Sequence, residues 1–385
     1  MQRSRENPQP PRRRKRRRAP VVLVLLLFLG IAVGGGYLYW ATNIKVADYE
    51  GEGNGDVVIQ VKDGDLISAI GAELARQDVV RSSRAFTEAA AENDARARSV
   101  QPGYYRMRLR MSGGEAVKLI LDPDSRVGQL EIKGGVQLDD TRGPNGVVVP
   151  GVLSLISKAT CAELNGSSTC ISPEQLRATM ASTSPAQLGV PGWALGEVSK
   201  ADPRRRLEGF FAPGRYDVRP GSPATEVLRT LVTRSATQFE ALGLVAAADQ
   251  SRYSAYQLLV ISSLVEKEGI TADFGKISRV IYNRLQQRIR LGMDSTVNYP
   301  LDLQEVRTSA EERSRQGPYN TYLNYGLPPT PIGAPGQRAL QAALQPEPGP
   351  WVYFVRCQKE GNSCFAVTLP EHQKNVSAAV AAGAF

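Results

Sequence analysis

The chain has 385 residues and a formal net charge of +9, a length that allows two or three domains of about 150 residues each. The first 19 residues hold nine Lys or Arg and one acid, Glu6, so nearly all of the net charge belongs to this tail. The remainder is close to neutral and lacks the broad basic surface that phosphate binding needs, which excludes a nucleic-acid-binding protein.

An apolar segment follows the basic tail. Residues 21–41 carry no charge, and about 20 apolar residues at helical rise cross a bilayer core. Aromatic residues within 37–40 lie at the end of this segment away from the arginines, where the aromatic belt of a membrane interface lies. A cleaved signal peptide is the alternative, but its apolar region spans only ~7–15 residues. We therefore predict a cytoplasmic tail at 1–19, an uncleaved transmembrane helix at 20–42, a linker at 43–55 and an exported remainder.

Four cysteines lie beyond the apolar segment, in two closely spaced pairs. An exported domain meets an oxidising compartment, which favours disulfides over thiol chemistry. Zinc binding is the alternative, but there is no CxxC motif, and the only histidine, His372, has no ligand-like spacing to either pair. We predict Cys161–Cys170 and Cys357–Cys364 bridges, each closing a surface loop, and no metal site.

The first exported part, residues 56–125, has the pattern of a small α+β module. A strand, two helices with apolar residues at helical spacing and a second strand follow one another, and another helix begins after SGG. The predicted spans are Val57–Val61, Leu66–Leu74, Ser83–Asn93 and Tyr104–Met111.

Residues 126–385 form the larger predicted α+β domain. Short strands and turns at 127–147 precede a segment at 154–202 that is rich in small and polar residues and carries the first cysteine pair. A helix is predicted within 220–238. The helix SAYQLLVISSLVEKE is apolar over most of its circumference, which indicates burial in a core. An amphipathic helix at 275–289 and a strand pair at 351–355 and 364–369 complete the pattern.

Two glutamates end the buried helix. Glu266 and Glu268 are two residues apart, so their side chains point about 200° apart and cannot face one cleft. Mostly small residues share the stripe of Glu266, whereas Glu268 stacks over Leu264 and Ile261. The helix dipole and partial burial raise a carboxyl pKa here, and a carboxyl still protonated near neutral pH is what general-acid cleavage of a glycosidic bond requires. The alternative to a catalytic role is an ordinary solvated helix end, at which Lys267 contributes only to solubility.

Five segments occur in one order along the second half of the chain. They are LVEKEG (264–269), VIYNRL (280–285), LGMDSTVNY (291–299), YNTYLNYGLPPTPI (319–332) and FAVTLPEHQKNV (365–376). Together they resemble the membrane-anchored endolytic murein transglycosylases, the YceG-like family. The module at 56–125 is similar to the LysM-like domain of that family, and LEGFFAPGRYDV (207–218) to its LEG-x-x-x-P-x-x-Y segment. The chain departs from the family pattern at Thr330, at APGRY and in the Cys161–Cys170 region, which resembles an insertion.

The resemblance implies that Glu266 is the catalytic residue. It also implies that five further residues bind the substrate in the cleft: Asp294, Tyr319, Asn320, Thr321 and Glu371. Two structural alternatives remain, a rigid proline-braced loop for YNTY and LPPTPI and a turn cap at Asp294.

The chemistry that the resemblance implies is a lytic transglycosylase reaction without a cofactor. Glycoside hydrolases use two carboxylates, and the sequence offers one strong candidate. A muramidase with Asp294 or Glu371 as the second acid is one alternative, and a non-catalytic cell-wall scaffold or a structural division partner is another. The expected partners are peptidoglycan glycan strands, the bacterial cell membrane through one helix, and penicillin-binding glycan synthases as candidate neighbours.

Overall fold

The computed structural model describes residues 29–31, 33–35, 46–92, 94–143, 146–302 and 308–384. The chain divides into two units, Met1–Asp48 and Tyr49–Phe385. Residues 29–31 and 33–35 of the predicted membrane helix are helical. The basic tail and the other residues of that helix lie outside the described part. Within the described residues, no helix has both the length and the apolar character needed to cross a membrane.

The second unit begins with a three-stranded sheet covered by helices. Its antiparallel strands are β1 (Asn54–Val61), β2 (Gly103–Leu109) and β3 (Arg126–Val127), in that order. The helices are α1 (Ile67–Arg76), α2 (Ser83–Ala91), α3 (Asp94–Ala97) and α4 (Gly113–Ile120). Apolar residues of β1, β2 and the helices, such as Ile59, Leu74, Phe86 and Met107, form one buried cluster. The predicted strand, two helices and second strand occur in that order, with the short helix α3 in addition before β2.

One glycine separates this sheet from the next. Strand β3 ends at Val127, and β4 (Gln129–Ile132) begins two residues later and pairs with β9 (Gly214–Asp217). Gly128 has φ +79°, and a side chain there would overlap the carbonyl of Val218. Only glycine fits this close approach without strain.

The larger part of the unit is mixed α+β, as predicted. Its short strand pairs are β4 with β9, β5 (Thr141–Arg142) with β6 (Val148–Val149), β7 (Glu163–Leu164) with β8 (Ser167–Ser168), and β10 (Tyr353–Arg356) with β11 (Ser363–Ala366). Its helices are α5 (Val152–Thr160), α6 (Pro173–Ser182), α7 (Leu195–Lys200), α8 (Ala224–Ala241), α9 (Leu244–Asp249), α10 (Ala255–Glu268), α11 (Phe274–Gln286), α12 (Asp294–Asn298), α13 (Ala310–Ser314), α14 (Gln337–Leu344) and α15 (Leu369–Ala381).

Helix α10 is the centre of the larger core. Ser254 caps its first turn in a reciprocal capping box with Gln257, which satisfies two donors of the helix start. Every residue from Ala255 to Val265 except Gln257 is buried. The helix packs against α11 and α14, so its last turn is held from several sides.

Both predicted cysteine pairs lie at disulfide distance. The sulfur atoms of Cys161 and Cys170 are 2.01 Å apart and those of Cys357 and Cys364 are 2.00 Å apart. The first pair closes the β7–β8 hairpin, and the second closes the β10–β11 hairpin. In the first hairpin, Asn165 contacts β1: its Oδ1 accepts from the Asp56 N–H at 2.6 Å, and its Nδ2 donates to the Asp56 carbonyl at 3.0 Å.

Candidate active site

Glu266 stands in the last turn of α10 with its carboxylate against main-chain groups. Its Oε2 accepts a hydrogen bond of 2.9 Å from the N–H of Gly336. The residue is half-buried, whereas Ser262 and Ser263, one turn earlier, are fully buried. The carboxylate therefore has a fixed position at the edge of the core.

Two glycine-containing loops surround this carboxylate. We call Gly134, Gly135, Gly333 and Gly336 the glycine wall. The loops are joined to each other by hydrogen bonds of 2.8 Å from the Gly135 N–H to the Ala334 carbonyl and from the Ala334 N–H to the Val136 carbonyl. A Cβ at Gly134 would lie 2.9 Å from Cδ of Glu266, and one at Gly336 would lie 3.0 Å from its Oε2. Glu266 thus packs directly against this main chain, which the absence of side chains at Gly134 and Gly336 allows.

The environment of Glu266 favours its protonated form. Burial raises the pKa of its carboxyl, and the Gly336 N–H and the charge of Lys267 partly offset that increase. The position at a helix C-terminus acts in the same direction as burial. A carboxyl that keeps its proton closer to neutral pH can act as a general acid.

Glu268 points away from this site. Its Oε1 accepts a short hydrogen bond from the hydroxyl of Ser295. Burial raises the pKa of Glu268 to about 7, and the nearby charge of Asp294 adds to the increase. The two glutamates have different surroundings, as the helical spacing predicts.

Sequence reasoning missed a third carboxylate, Glu208. It is 2% exposed, and its Oε2 accepts from the Leu138 N–H at 3.2 Å and from the Tyr299 hydroxyl at 3.0 Å. Burial raises its pKa to about 7, although both hydrogen bonds and the charges of Arg205 and Lys267 oppose the increase. The available signal was a glutamate inside the apolar run LEGFF.

The surroundings of Lys267 do not match the alternative of a solvated helix end that this lysine only keeps soluble. Its stem lies beside the glycine wall: Cδ is 3.7 Å from where a Cβ of Gly135 would stand, and Cε is 3.4 Å from that of Gly333. Burial lowers the pKa of its ammonium group, and the carboxylates of Glu208, Glu266 and Glu268 raise it. The lysine is therefore part of the site's electrostatics.

Asp294 ties three segments together. It begins α12, and its carboxylate accepts from the Thr308 hydroxyl at 2.5 Å, the Thr308 N–H at 3.3 Å and the Tyr322 hydroxyl at 2.7 Å. Its charge also acts on Glu268. The structure therefore places Asp294 close to the second glutamate of the helix.

Asn320 and Thr321 are buried at 4% and 2% exposure. The amide of Asn320 donates to the carbonyls of Arg313 and Arg315, at 2.9 and 2.7 Å. The hydroxyl of Thr321 accepts from the Met293 N–H at 3.0 Å. Both side chains hold main-chain segments in this structure, an arrangement like that of the rigid-loop alternative.

Tyr319 links the same loop to Glu208. Its hydroxyl is 2.8 Å from the Thr330 hydroxyl, and its ring centroid is 4.8 Å from that of Tyr299, which donates to Glu208. Thr330 thus supplies a hydrogen-bond partner to Tyr319.

Glu371 lies in the first turn of α15. It is exposed, and its carboxylate accepts from the N–H groups of Val367 and Thr368, both at 3.1 Å, in a capping box. These backbone N–H groups lower its pKa. Its geometry is that of a helix cap.

Comparison with known proteins identifies the protein family to which this chain belongs. The model of the YceG-like family matches residues 59–378, and the chain belongs to that family. The fold is similar to a crystal structure of a YceG-like protein from Listeria monocytogenes, with a TM-score of 0.55 and 24% identity over 83% of this chain and 99% of that one.

Two relatives have more specific names. An endolytic murein transglycosylase of Bacillus subtilis strain 168 is 26% identical over 347 residues, which are 89% of this chain and 90% of the relative. An endolytic murein transglycosylase of Streptococcus pneumoniae strain R6 is 28% identical over 187 residues, which are 47% of this chain and 33% of the relative.

Proposed function

We propose that this protein is a membrane-anchored lytic transglycosylase that cuts peptidoglycan strands internally, with Glu266 as its catalytic residue. The names of the relatives support the reaction class. The observation that carries the residue assignment is the position of Glu266: a carboxyl with a raised pKa at the end of a buried helix, packed against the main chain of two glycine-containing loops.

In this mechanism Glu266 acts first as an acid. It protonates the oxygen that links N-acetylmuramic acid to N-acetylglucosamine, and the glycosidic bond breaks. The resulting carboxylate then takes the proton from the 6-hydroxyl of the same muramic acid, whose oxygen attacks the anomeric carbon. The product has a 1,6-anhydromuramyl end, no water is consumed, and Glu266 regains its proton.

This reaction needs one carboxylate because the substrate supplies the nucleophile. A hydrolase would need a second acid to activate water or to form a covalent intermediate. Asp294 and Glu371 were the candidates from the sequence, and their hydrogen bonds to Thr308, Tyr322 and the helix start engage both carboxylates. These contacts favour the transglycosylase over the muramidase.

We further propose that the loop carrying Tyr319, Asn320 and Thr321 shapes the cleft for the N-acetylated sugars. The buried hydrogen bonds of Asn320 and Thr321 support a role in holding the loop. Asp294 would fix the neighbouring turn through Tyr322. Contact of Glu371 with the substrate stays a prediction from the family resemblance.

The charge-free segment at residues 21–41 supports an anchor that keeps the N-terminus in the cytoplasm. A cutter held at the membrane reaches only strands that are still close to their synthases. We therefore propose that the enzyme limits the length of nascent glycan, with penicillin-binding glycan synthases as neighbours. Full rescue of cells lacking the protein by a soluble form without residues 1–42 would contradict this role.

Product analysis by mass spectrometry tests the reaction. The protein and its Glu266→Gln variant are incubated with purified glycan strands, because glutamine keeps the shape of the side chain but cannot donate the carboxyl proton. Anhydro-ended internal fragments from the unmodified protein alone are the expected result. Reducing ends would indicate a muramidase, and binding without cleavage by either protein would indicate a cell-wall scaffold.

A further inference from the structure

Glu208 is buried beside the site and has no step in the reaction just described. A buried carboxylate is costly unless hydrogen bonds or an opposite charge compensate it. Glu208 has two hydrogen bonds, and the charge of Lys267 acts on it. Lys267 directly follows Glu266 in the chain.

Glu208 can influence the catalytic carboxyl of Glu266 in two ways. The first is mechanical: it accepts from the N–H of Leu138, in the loop that carries Gly134 and Gly135. The second is electrostatic and runs through Lys267, whose stem lies along Gly135 and Gly333. Both routes end at the same part of the site, the wall against which Glu266 is held.

We infer that Glu208 is a positioning residue for Glu266, which holds the glycine wall through Leu138 and offsets the positive charge of Lys267 beside the catalytic carboxyl. This role rests on the proposed function of Glu266 as the acid. Glu208 itself does not touch the substrate, because it is enclosed in the core.

The charges around the pair set the direction of each effect. The charge of Lys267 interacts with the carboxyls of Glu208, Glu266 and Glu268, and Glu208 also interacts with the charge of Arg205. A cation stabilises a nearby carboxylate and so lowers its pKa. Near and above pH 7 Glu208 is ionised, and without its negative charge Lys267 interacts more strongly with Glu266 and lowers the pKa of Glu266. Without Lys267, the pKa of Glu266 rises.

Two variants separate this role from simple structural support. Glu208→Gln keeps an oxygen that can accept from Leu138 and Tyr299 but removes the charge. Lys267→Met keeps an unbranched stem beside the glycine wall and removes the opposite charge. The two variants therefore leave the packing similar and should move the pKa of Glu266 in opposite directions. Glu226→Gln, an exposed change on α8, is the matched control.

The experiment is a pH profile of glycan cleavage by the full chain in detergent, beside a carbon-13 NMR titration of labelled glutamate carboxyls. The Glu266 signal is assigned by its loss in Glu266→Gln. Because the acid must be protonated, the alkaline limb of the profile should move about 0.5 pH unit or more higher in Lys267→Met. In Glu208→Gln it should move lower over the pH range in which Glu208 is ionised, near and above pH 7. The NMR pKa of Glu266 should move likewise, and Glu226→Gln should match the unmodified protein.

An unchanged Glu266 pKa in Glu208→Gln would overturn the inference, as would a shift of both variants in the same direction. If Lys267→Met does not fold, as thermal unfolding would reveal, the glutamine variant alone decides. The titration follows Glu266 without needing catalysis. Absence of cleavage by the unmodified protein would therefore refute the proposed function, while the NMR shifts would still test the coupling of Glu208 to Glu266.

Discussion

Replacing Gly134 with alanine should impair catalysis far more than folding. The backbone of Gly134 is not in the left-handed region, so alanine adds no backbone strain. Its Cβ would lie 2.9 Å from Cδ of Glu266 and closer still to Oε1, where ordinary contact begins at 3.4 Å. The carboxylate must move by about 1 Å, and a displacement of that size costs ~100-fold in rate, or ~2.7 kcal/mol in the activation barrier.

Initial rates of anhydro-end formation, measured by liquid chromatography and mass spectrometry, test this magnitude. The matched control is Gly135→Ala. Gly135 has φ +75°, and its nearest neighbours would be 3.7 and 3.8 Å from the new Cβ, so alanine should cost about 1 kcal/mol of stability with little direct effect on Glu266. An alanine at position 134 that leaves both the rate and the Glu266 pKa unchanged would refute the glycine-wall argument.

Three further predictions concern stability. Asn165→Gly keeps the positive φ of the hairpin but removes both side-chain hydrogen bonds to Asp56. It should lower the free energy of unfolding by about 1 kcal/mol and speed amide exchange in β1. Unchanged exchange would contradict a stabilising role for this contact. Since the pKa of Glu208 is raised from 4.5 to about 7, its contribution to stability is present below pH 4.5 and lost as pH rises towards 7. The free energy of unfolding of Glu208→Gln, relative to that of the unmodified protein, should therefore be higher at pH 7 than at pH 4.5, by on the order of 2 kcal/mol. An equal difference between the two proteins at both pH values, measured by thermal unfolding, would disprove this. Replacing Cys357 and Cys364 by serine should lower the free energy of unfolding by about 2 kcal/mol, measured by urea unfolding beside the unmodified, oxidised protein; equal midpoints for these two proteins would exclude a stabilising bridge.

Local patterns were sufficient to predict the helix that carries the candidate acid. The apolar run up to Val265 and the spacing of Glu266 and Glu268 are properties of one continuous segment. The helical period and the burial of this helix therefore follow from the sequence alone. The same holds for the strand pair around the second cysteine pair, whose observed bounds differ from the prediction by only a few residues.

Contacts between distant segments were beyond these patterns. Strand β4 pairs with β9, more than 80 residues later, and no local signal specifies that partner. The burial of Glu208 and Lys267 depends on the same long-range assembly, which brings the Leu138 loop and Tyr299 to one place. The polar atoms of Asn320 likewise suit a sugar ligand and a main-chain carbonyl equally well, and only the fold shows which partner is close.

The packing of the proposed catalytic carboxyl against main chain has a consequence for inhibition. Drug resistance usually arises when a substitution changes a side chain that an inhibitor contacts, and the glycine wall presents none. A side chain at Gly134 or Gly336 would press on Glu266, and one at Gly333 would come within 2.9 Å of the Gly135 carbonyl. A compound that packs against Gly134 and Gly336 would meet a surface at which escape mutations carry a direct cost in activity.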